Sequence, residues 1–194
     1  AGMVGWENII MSTLNTPANK RFEGMTVQDI AKARGNDPIN CVCDMLIEEN
    51  CAITMIDFIT CEEDIARILN CGFASVISDS IYPASGRPHP RLYGTYARII
   101  QRFVGERRDM TLEAAVKAMT YTPAKALNIA DRGLLKEGLC ADVNVFDPAE
   151  VKERGSYADP DKCAAGMDYV FVNGKPAIAA GELTGGAFGQ VIRR

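Results

Sequence analysis

Histidine is almost missing from this chain: His89 is the only one among 194 residues. Catalytic zinc sites draw on histidine, cysteine and carboxylate, with three protein ligands and one open position. One imidazole on a proline-rich loop excludes a multi-histidine centre built within the chain, and the plain reading of His89 is a loop side chain bonded to backbone. Basic tracts are missing too. Lys and Arg total 21 against 25 Asp and Glu, a net charge of −4, which argues against nucleic acid or an anionic membrane as partner. No apolar run approaches the roughly 20 residues that cross a bilayer, and no signal-peptide pattern opens the sequence. The chain starts on Ala1-Gly2 without an initiating Met, so a start partway along a longer protein, or an expression scar, is expected.

A full disulfide framework is excluded as well, because seven cysteines are an odd number. Their positions inside expected helices and strands point to reduced thiols and a cytoplasmic protein. Cys41, Cys51, Cys61 and Cys71 recur every ten residues. Neither their neighbours nor their elements repeat, and Cys41-Val42-Cys43 is not the spacing of a zinc knuckle. The expectation is that they are small buried hydrophobes.

What is present centres on the stretch from Phe73 to Tyr93. Phe73, Ala74, Val76 and Ile77 form a short apolar run with little alternation, the pattern of a strand buried on both faces in a parallel sheet. Polarity switches at Ser78-Asp79-Ser80, and a loop broken by Pro83, Pro88 and Pro90 follows. Asp79 stands either as a loop cap bonded to its own backbone or at the C-terminal end of a parallel strand, where α/β proteins keep their chemistry. The loop carries Arg87, His89 and Arg91, stiffened by proline. A guanidinium on a stiff loop suits recognition of a carboxylate through two parallel hydrogen bonds.

The rest of the chain alternates strands and helices before its period changes. A strand through Ile9, Ile10 and Met11 ends at Ser12. Thr26, with Asp29 three residues on, starts a helix; Asp37-Pro38 starts another, with Ile39, Val42, Cys43, Leu46 and Ile47 as its apolar face. Ala52 to Ile59 reads as the second strand. Thr60-Cys61-Glu62-Glu63 opens a helix with Ile65, Ile68 and Leu69 inward. With the Phe73 run this makes a βαβ unit and a parallel pair. Helices over 96–106, from Thr111 to Met119 and from Thr122-Pro123 to Ile129 come next, with Ile99, Ile100, Phe103, Leu112, Ala115, Val116 and Met119 inward. Beyond Gly133 the period is two, over 134–138 and 141–146. Strands over 169–172 and 175–179 flank Asn173-Gly174, a strong hairpin signal.

The run Ser78-Asp79, followed by His89-Pro90-Arg91-Leu92-Tyr93-Gly94-Thr95, resembles the D-aminoacylase (N-acyl-D-amino-acid deacylase) branch of the amidohydrolase superfamily. Met119-Thr120 with Pro123-Ala124-Lys125-Ala126-Leu127, Gly138-Leu139-Cys140-Ala141-Asp142, Val145-Phe146-Asp147-Pro148 and Val172-Asn173-Gly174 follow in that branch's order. The likeness spans essentially the whole chain. It implies an α/β fold: the C-terminal part of a (β/α)8 barrel, last three strands and helices, over residues 1–130, then a small antiparallel β-sandwich module over 131–194. A closed barrel takes about 250 residues, so this chain is expected to hold only part of one, to bind no zinc and hydrolyse nothing alone, and to self-associate through its open edges.

By the same resemblance the full-length enzyme uses zinc to activate water against the amide of an N-acyl-D-amino acid, a small-molecule substrate. Asp79, near the metal, takes the water's proton and passes it to the leaving amine. Arg91 holds the α-carboxylate, and Ser12 falls where a substrate-binding serine is expected. Thr60 is a weaker pocket candidate, better explained as a helix cap. Two alternatives stay open: another amidohydrolase, such as a dihydropyrimidinase-like ring hydrolase, and a non-catalytic interaction domain.

Overall fold

The computed structural model describes residues 5–82 and 86–192, and contacts divide the chain into two compact units. The first comprises Ala1–Cys61, Asp79–Tyr93 and Gly155–Lys162; the second comprises Glu62–Ser78, Gly94–Arg154 and Cys163–Arg194. The expected division at residue 130 follows the change in periodicity and is a different partition from these contact units. Periodicity reports local structure only, whereas a unit is defined by which segments pack together.

In the first unit, strand β1 (Ile9–Thr13) pairs with β2 (Thr54–Asp57), and the pairing is antiparallel. Neighbouring strands of a (β/α)8 barrel are parallel, so the parallel partner expected for β2 is replaced by this pair. Helix α1 (Val27–Arg34) starts where Thr26 Oγ1 accepts the Asp29 N–H at 3.1 Å, and it stops at Gly35, φ +68°. Helix α2 (Pro38–Glu48) is capped by Asp37, which accepts from the N–H groups of Ile39 and Asn40. Met11, Leu14, Phe22, Val27, Ile30, Ala31, Cys41 and Met45 form the core of the unit.

The face of α2 that points inward is only partly the expected one: Val42 packs half-buried against the core and Leu46 is half-buried. Ile39 and Ile47 are exposed, Ile47 by 76%, while Cys41 and Met45 are buried. Cys41, Met45 and Glu49 follow one another at i, i+4 spacing along a single stripe. Glu49, at the helix end, is itself buried and accepts from the backbone N–H groups of Asn15 (2.7 Å) and Thr16 (3.1 Å), the Thr16 hydroxyl and Asn19 Nδ2 (2.9 Å). A charge out of water must be satisfied, and these donors fix the rotation of the helix against the pull of the isoleucines. Cys41 is buried as expected, but Cys43, Cys51, Cys61, Cys71 and Cys163 are exposed. The expectation of buried thiols fails for them: Cys43 is on the outward side of α2, and the other four lie in turns or irregular segments outside the helices and strands where they were expected.

In the second unit, helix α3 (Glu62–Leu69) places Ala66 in the core and leaves Ile68 exposed. Glu62 is held by the guanidinium groups of Arg98, Arg102 and Arg107. Helix α4 (Arg91–Arg98), whose residues from Gly94 onward belong to this unit, is extended by the wider-wound turns Ile99–Glu106, which bury Ile99, Ile100 and Phe103. Helix α5 (Leu112–Met119), capped by Thr111, and helix α6 (Tyr121–Ala126) bury Ala115, Ala118 and Ala124; Val116 faces solvent.

The second unit ends in an antiparallel sheet of β3 (Val143–Val145), β4 (Tyr169–Val172), β5 (Lys175–Ala179) and β6 (Glu182–Leu183), in that order. Asn173 (φ +51°) and Gly174 (φ +76°) make the expected tight hairpin, the double positive φ that a two-residue turn requires. The strand expected over 134–138 does not form; Leu135 is exposed, and the segment is turns.

The run from Phe73 to Ile77 also differs from expectation. It is no ladder strand among the described residues, and it is covered on one face only: Phe73 is 84% and Ile77 66% exposed, while Val76 is buried. Val76 N–H donates to the Ala118 carbonyl at 2.9 Å. Apolar content suggested two covered faces, but it cannot reveal which neighbours exist to cover them.

Candidate functional site

Asp79 and Arg91 meet. Arg91 Nη2 lies 3.1 Å from Asp79 Oδ2, with the side chains 41% and 74% exposed. Asp79 has φ +47°, a left-handed conformation that aspartate tolerates better than most residues, at a cost of about 1 kcal/mol. The twist sits at the polarity switch seen in the sequence, and residues held so are enriched at functional sites. A solvent-facing ion pair is worth about 0–1 kcal/mol. The pair therefore adds little stability, and either partner can exchange it for another group.

Arg91 is the first residue of α4, and the residues before it set its direction. Its N–H donates to His89 Nδ1 at 3.0 Å, so that nitrogen is the unprotonated one of the neutral ring. Leu92 N–H donates to the His89 carbonyl at 3.0 Å and Tyr93 N–H to that of Pro90 at 3.2 Å, which starts the helix. Pro88 and Pro90 are buried. The His89 ring meets Tyr157 edge-on, centroids 5.2 Å apart, and Tyr157 in turn meets Phe58 at 4.7 Å. Pro83 lies outside the described residues.

Ser12 is buried on β1. Its hydroxyl donates to the Arg87 carbonyl at 2.5 Å and receives a hydrogen bond from Thr54 Oγ1 at 3.3 Å. It is thus tied to the arginine loop, while Thr60 is an exposed residue. The structure brings together Asp79, Arg91 and His89, and links Ser12 to the base of the same loop. Tyr157 and Phe58 were not anticipated. They come from segments distant in sequence, and no spacing or motif joins them to the loop.

Among the described residues no three His, Cys, Asp or Glu side chains converge as metal ligands. Around Asp79 the nearest charged partner is a guanidinium, and His89 Nδ1 is occupied by a backbone N–H. The described residues do not by themselves fit a zinc site.

Comparison with known proteins agrees with the motifs. The profile of the amidohydrolase family matches residues 17–178. The chain is 36% identical over 165 residues to an N-acyl-D-glutamate deacylase of Alcaligenes xylosoxydans xylosoxydans, covering 85% of this chain and 32% of the relative. A structure of D-aminoacylase, solved in work on the functional role of its binuclear metal center, superposes with a TM-score of 0.85 at 31% identity, over 96% of this chain and 38% of the other. An N-acyl-D-glutamate deacylase from Bordetella bronchiseptica, complexed with zinc and a phosphonate that mimics the tetrahedral intermediate, gives 0.84 at 34% identity, over 97% and 38%. The chain spans about a third of the length of the curated relatives it matches. A profile match over most of the sequence, together with the Asp79-to-Thr95 motifs, means that the chain belongs to the amidohydrolase family and, within it, groups with the D-aminoacylases.

Proposed function

We propose that this chain carries the proton-transferring aspartate and the carboxylate-binding arginine of a hydrolase that cleaves the amide bond of N-acyl-D-amino acids. The observation behind this reading is the Asp79–Arg91 pair, 3.1 Å apart at the surface. In hydrolysis a water oxygen bonds to the acyl carbon and the C–N bond breaks, leaving a carboxylic acid and a free amino acid. Asp79 accepts the water's proton and delivers it to the departing nitrogen. Arg91 binds the substrate's α-carboxylate with two parallel hydrogen bonds. Without substrate it rests on Asp79, and an arriving carboxylate replaces one weak surface pair with another contact of the same kind.

The names of the matched relatives, deacylases of N-acyl-D-glutamate and a D-aminoacylase, support an acylated amino acid as the substrate class. In the same reading, the helical residues and the β3–β6 sheet supply the last part of the family's barrel and its β-sandwich module. The zinc of the working enzyme belongs to residues beyond those described, and the 194-residue chain by itself hydrolyses nothing. Exposed Phe73, Ile77 and Ile81 give that isolated chain a reason to self-associate, which sedimentation at rising concentration tests.

The decisive measurement is the hydrolysis of N-acetyl-D-amino acids by the enzyme that contains this chain, with Arg91→Lys beside the unaltered protein. Lysine keeps the charge but loses the fork, so KM for carboxylate-bearing substrates rises. An unchanged KM would remove the α-carboxylate clamp and turn the reading toward a ring-hydrolysing amidohydrolase.

A further inference from the structure

Ser12 lies at a defect in the β1–β2 pair, and the defect serves the arginine loop. The register runs through Met11↔Met55 and resumes at Thr13↔Thr54, so Ser12 is the extra residue of a β-bulge. A bulge leaves that residue outside the ladder and re-aims its groups. Here Arg87 N–H donates to the Ser12 carbonyl at 3.0 Å, while Ser12 Oγ donates back to the Arg87 carbonyl at 2.5 Å. Thr54 Oγ1 donates to the same hydroxyl at 3.3 Å, and Ser12 is only 5% exposed. Its hydrogen is committed and its oxygen is occupied, so little of it remains for a ligand.

The surroundings hold the clamp closed. Gly86 has φ +87°, and a Cβ there would stand 2.5 Å from Thr13 Oγ1; the loop passes over β1 where only glycine fits. From Arg87 the chain reaches Arg91 through Pro88 and Pro90, whose φ angles are fixed, and through His89, whose ring takes the Arg91 N–H at 3.0 Å. Little backbone freedom therefore lies between the bulge and the start of the Arg91 side chain.

We infer that Ser12 is a positioning residue: by clamping Arg87 it sets where Arg91 presents its guanidinium to the substrate's α-carboxylate, without touching substrate itself. This rests on the reading of Arg91 under Proposed function. Misplacement of a binding group by even about an ångström is costly, and the cost falls only on substrates that carry the carboxylate.

Two measurements test it. In the enzyme that contains this chain, kcat/KM is compared for an N-acetyl-D-amino acid and the matching N-acetylamine without the carboxylate. Ser12→Ala lowers the ratio of the two about tenfold, through KM, as expected for one buried hydrogen bond, and Ser12→Thr restores most of it. Equal losses on both substrates, or no loss, would overturn the positioning role. Arg91→Ala on the same pair separates the two ideas: if it leaves the ratio unchanged, the carboxylate clamp fails, and the functional half of the Ser12 inference with it. Amide hydrogen exchange reads the clamp without catalysis. Ser12→Ala speeds exchange at Arg87 and Arg91 while the amides of α1 and α2 keep their protection. Unchanged exchange at Arg87 would show that the hydroxyl does not hold the loop.

Discussion

Two carboxylates of the first unit, Glu49 and Asp79, are treated in opposite ways. Glu49 is buried and surrounded by donors. Burial pushes its pKa up, but the Thr16 hydroxyl, the Asn15 N–H, Asn19 and the Thr16 N–H outweigh that and bring it down to about 2. Asp79 stands in solvent on left-handed backbone with a weak arginine partner. A carboxylate saturated by fixed donors holds a structure together and is unavailable for chemistry. One that is exposed and exchangeable contributes little to stability and can act on a substrate. The contrast predicts where stability and where activity will be lost.

The largest effect is expected at Asp79. On the proposed chemistry Asp79→Asn lowers kcat for N-acyl-D-amino acids about 10³-fold, in the range of a lost general base. Its effect on thermal unfolding stays within about 0.5 kcal/mol. A large loss of stability without loss of rate would invert the comparison. At Glu49 the opposite holds: Glu49→Ala strands the donors of Asn15, Thr16 and Asn19 and costs about 3 kcal/mol, read by urea unfolding of the chain.

Acid sharpens the same contrast. A carboxylate whose folded value is depressed adds stability that is complete above its unfolded value of 4.5 and is lost as pH falls toward the folded value of about 2. Urea midpoints measured between those limits should fall with pH in the native sequence and flatten in Glu49→Gln. The rotation of α2 that Glu49 enforces can be read from two substitutions. Met45→Ala costs about 3 kcal/mol as a buried truncation, whereas Ile47→Ala, on the exposed face, changes stability by about 0.5 kcal/mol or less. Equal costs would mean that the isoleucine face, not the Glu49 stripe, is inward.

Much of the local structure was legible because it depends on residues close in sequence. Thr26 and Asp37 cap their helices through side-chain oxygens two or three residues from the N–H groups they accept, and Asn173-Gly174 turns because both residues tolerate positive φ. Asp79 and Arg91 could be singled out as candidates by their motif, since both lie on one short run whose residue types carry the family likeness, and the structure pairs them. These features need no knowledge of what packs where.

Tertiary structure alone decided the rest, wherever a residue's state depends on a partner distant in the chain. Ile39 and Ile47 are as apolar as Met45, yet α2 turns the isoleucines out because Glu49 must reach Asn15 and Thr16. The run Phe73–Ile77 is apolar enough for a buried strand, but an apolar pattern cannot supply the neighbours that would cover it. That Ser12 would spend its hydroxyl on Arg87 follows from one extra residue between two strands, a register that β1 and β2 fix only when they meet. Sequence determined which side chains could do chemistry; burial and register, which are properties of the assembled chain, decided which of them remain available for it.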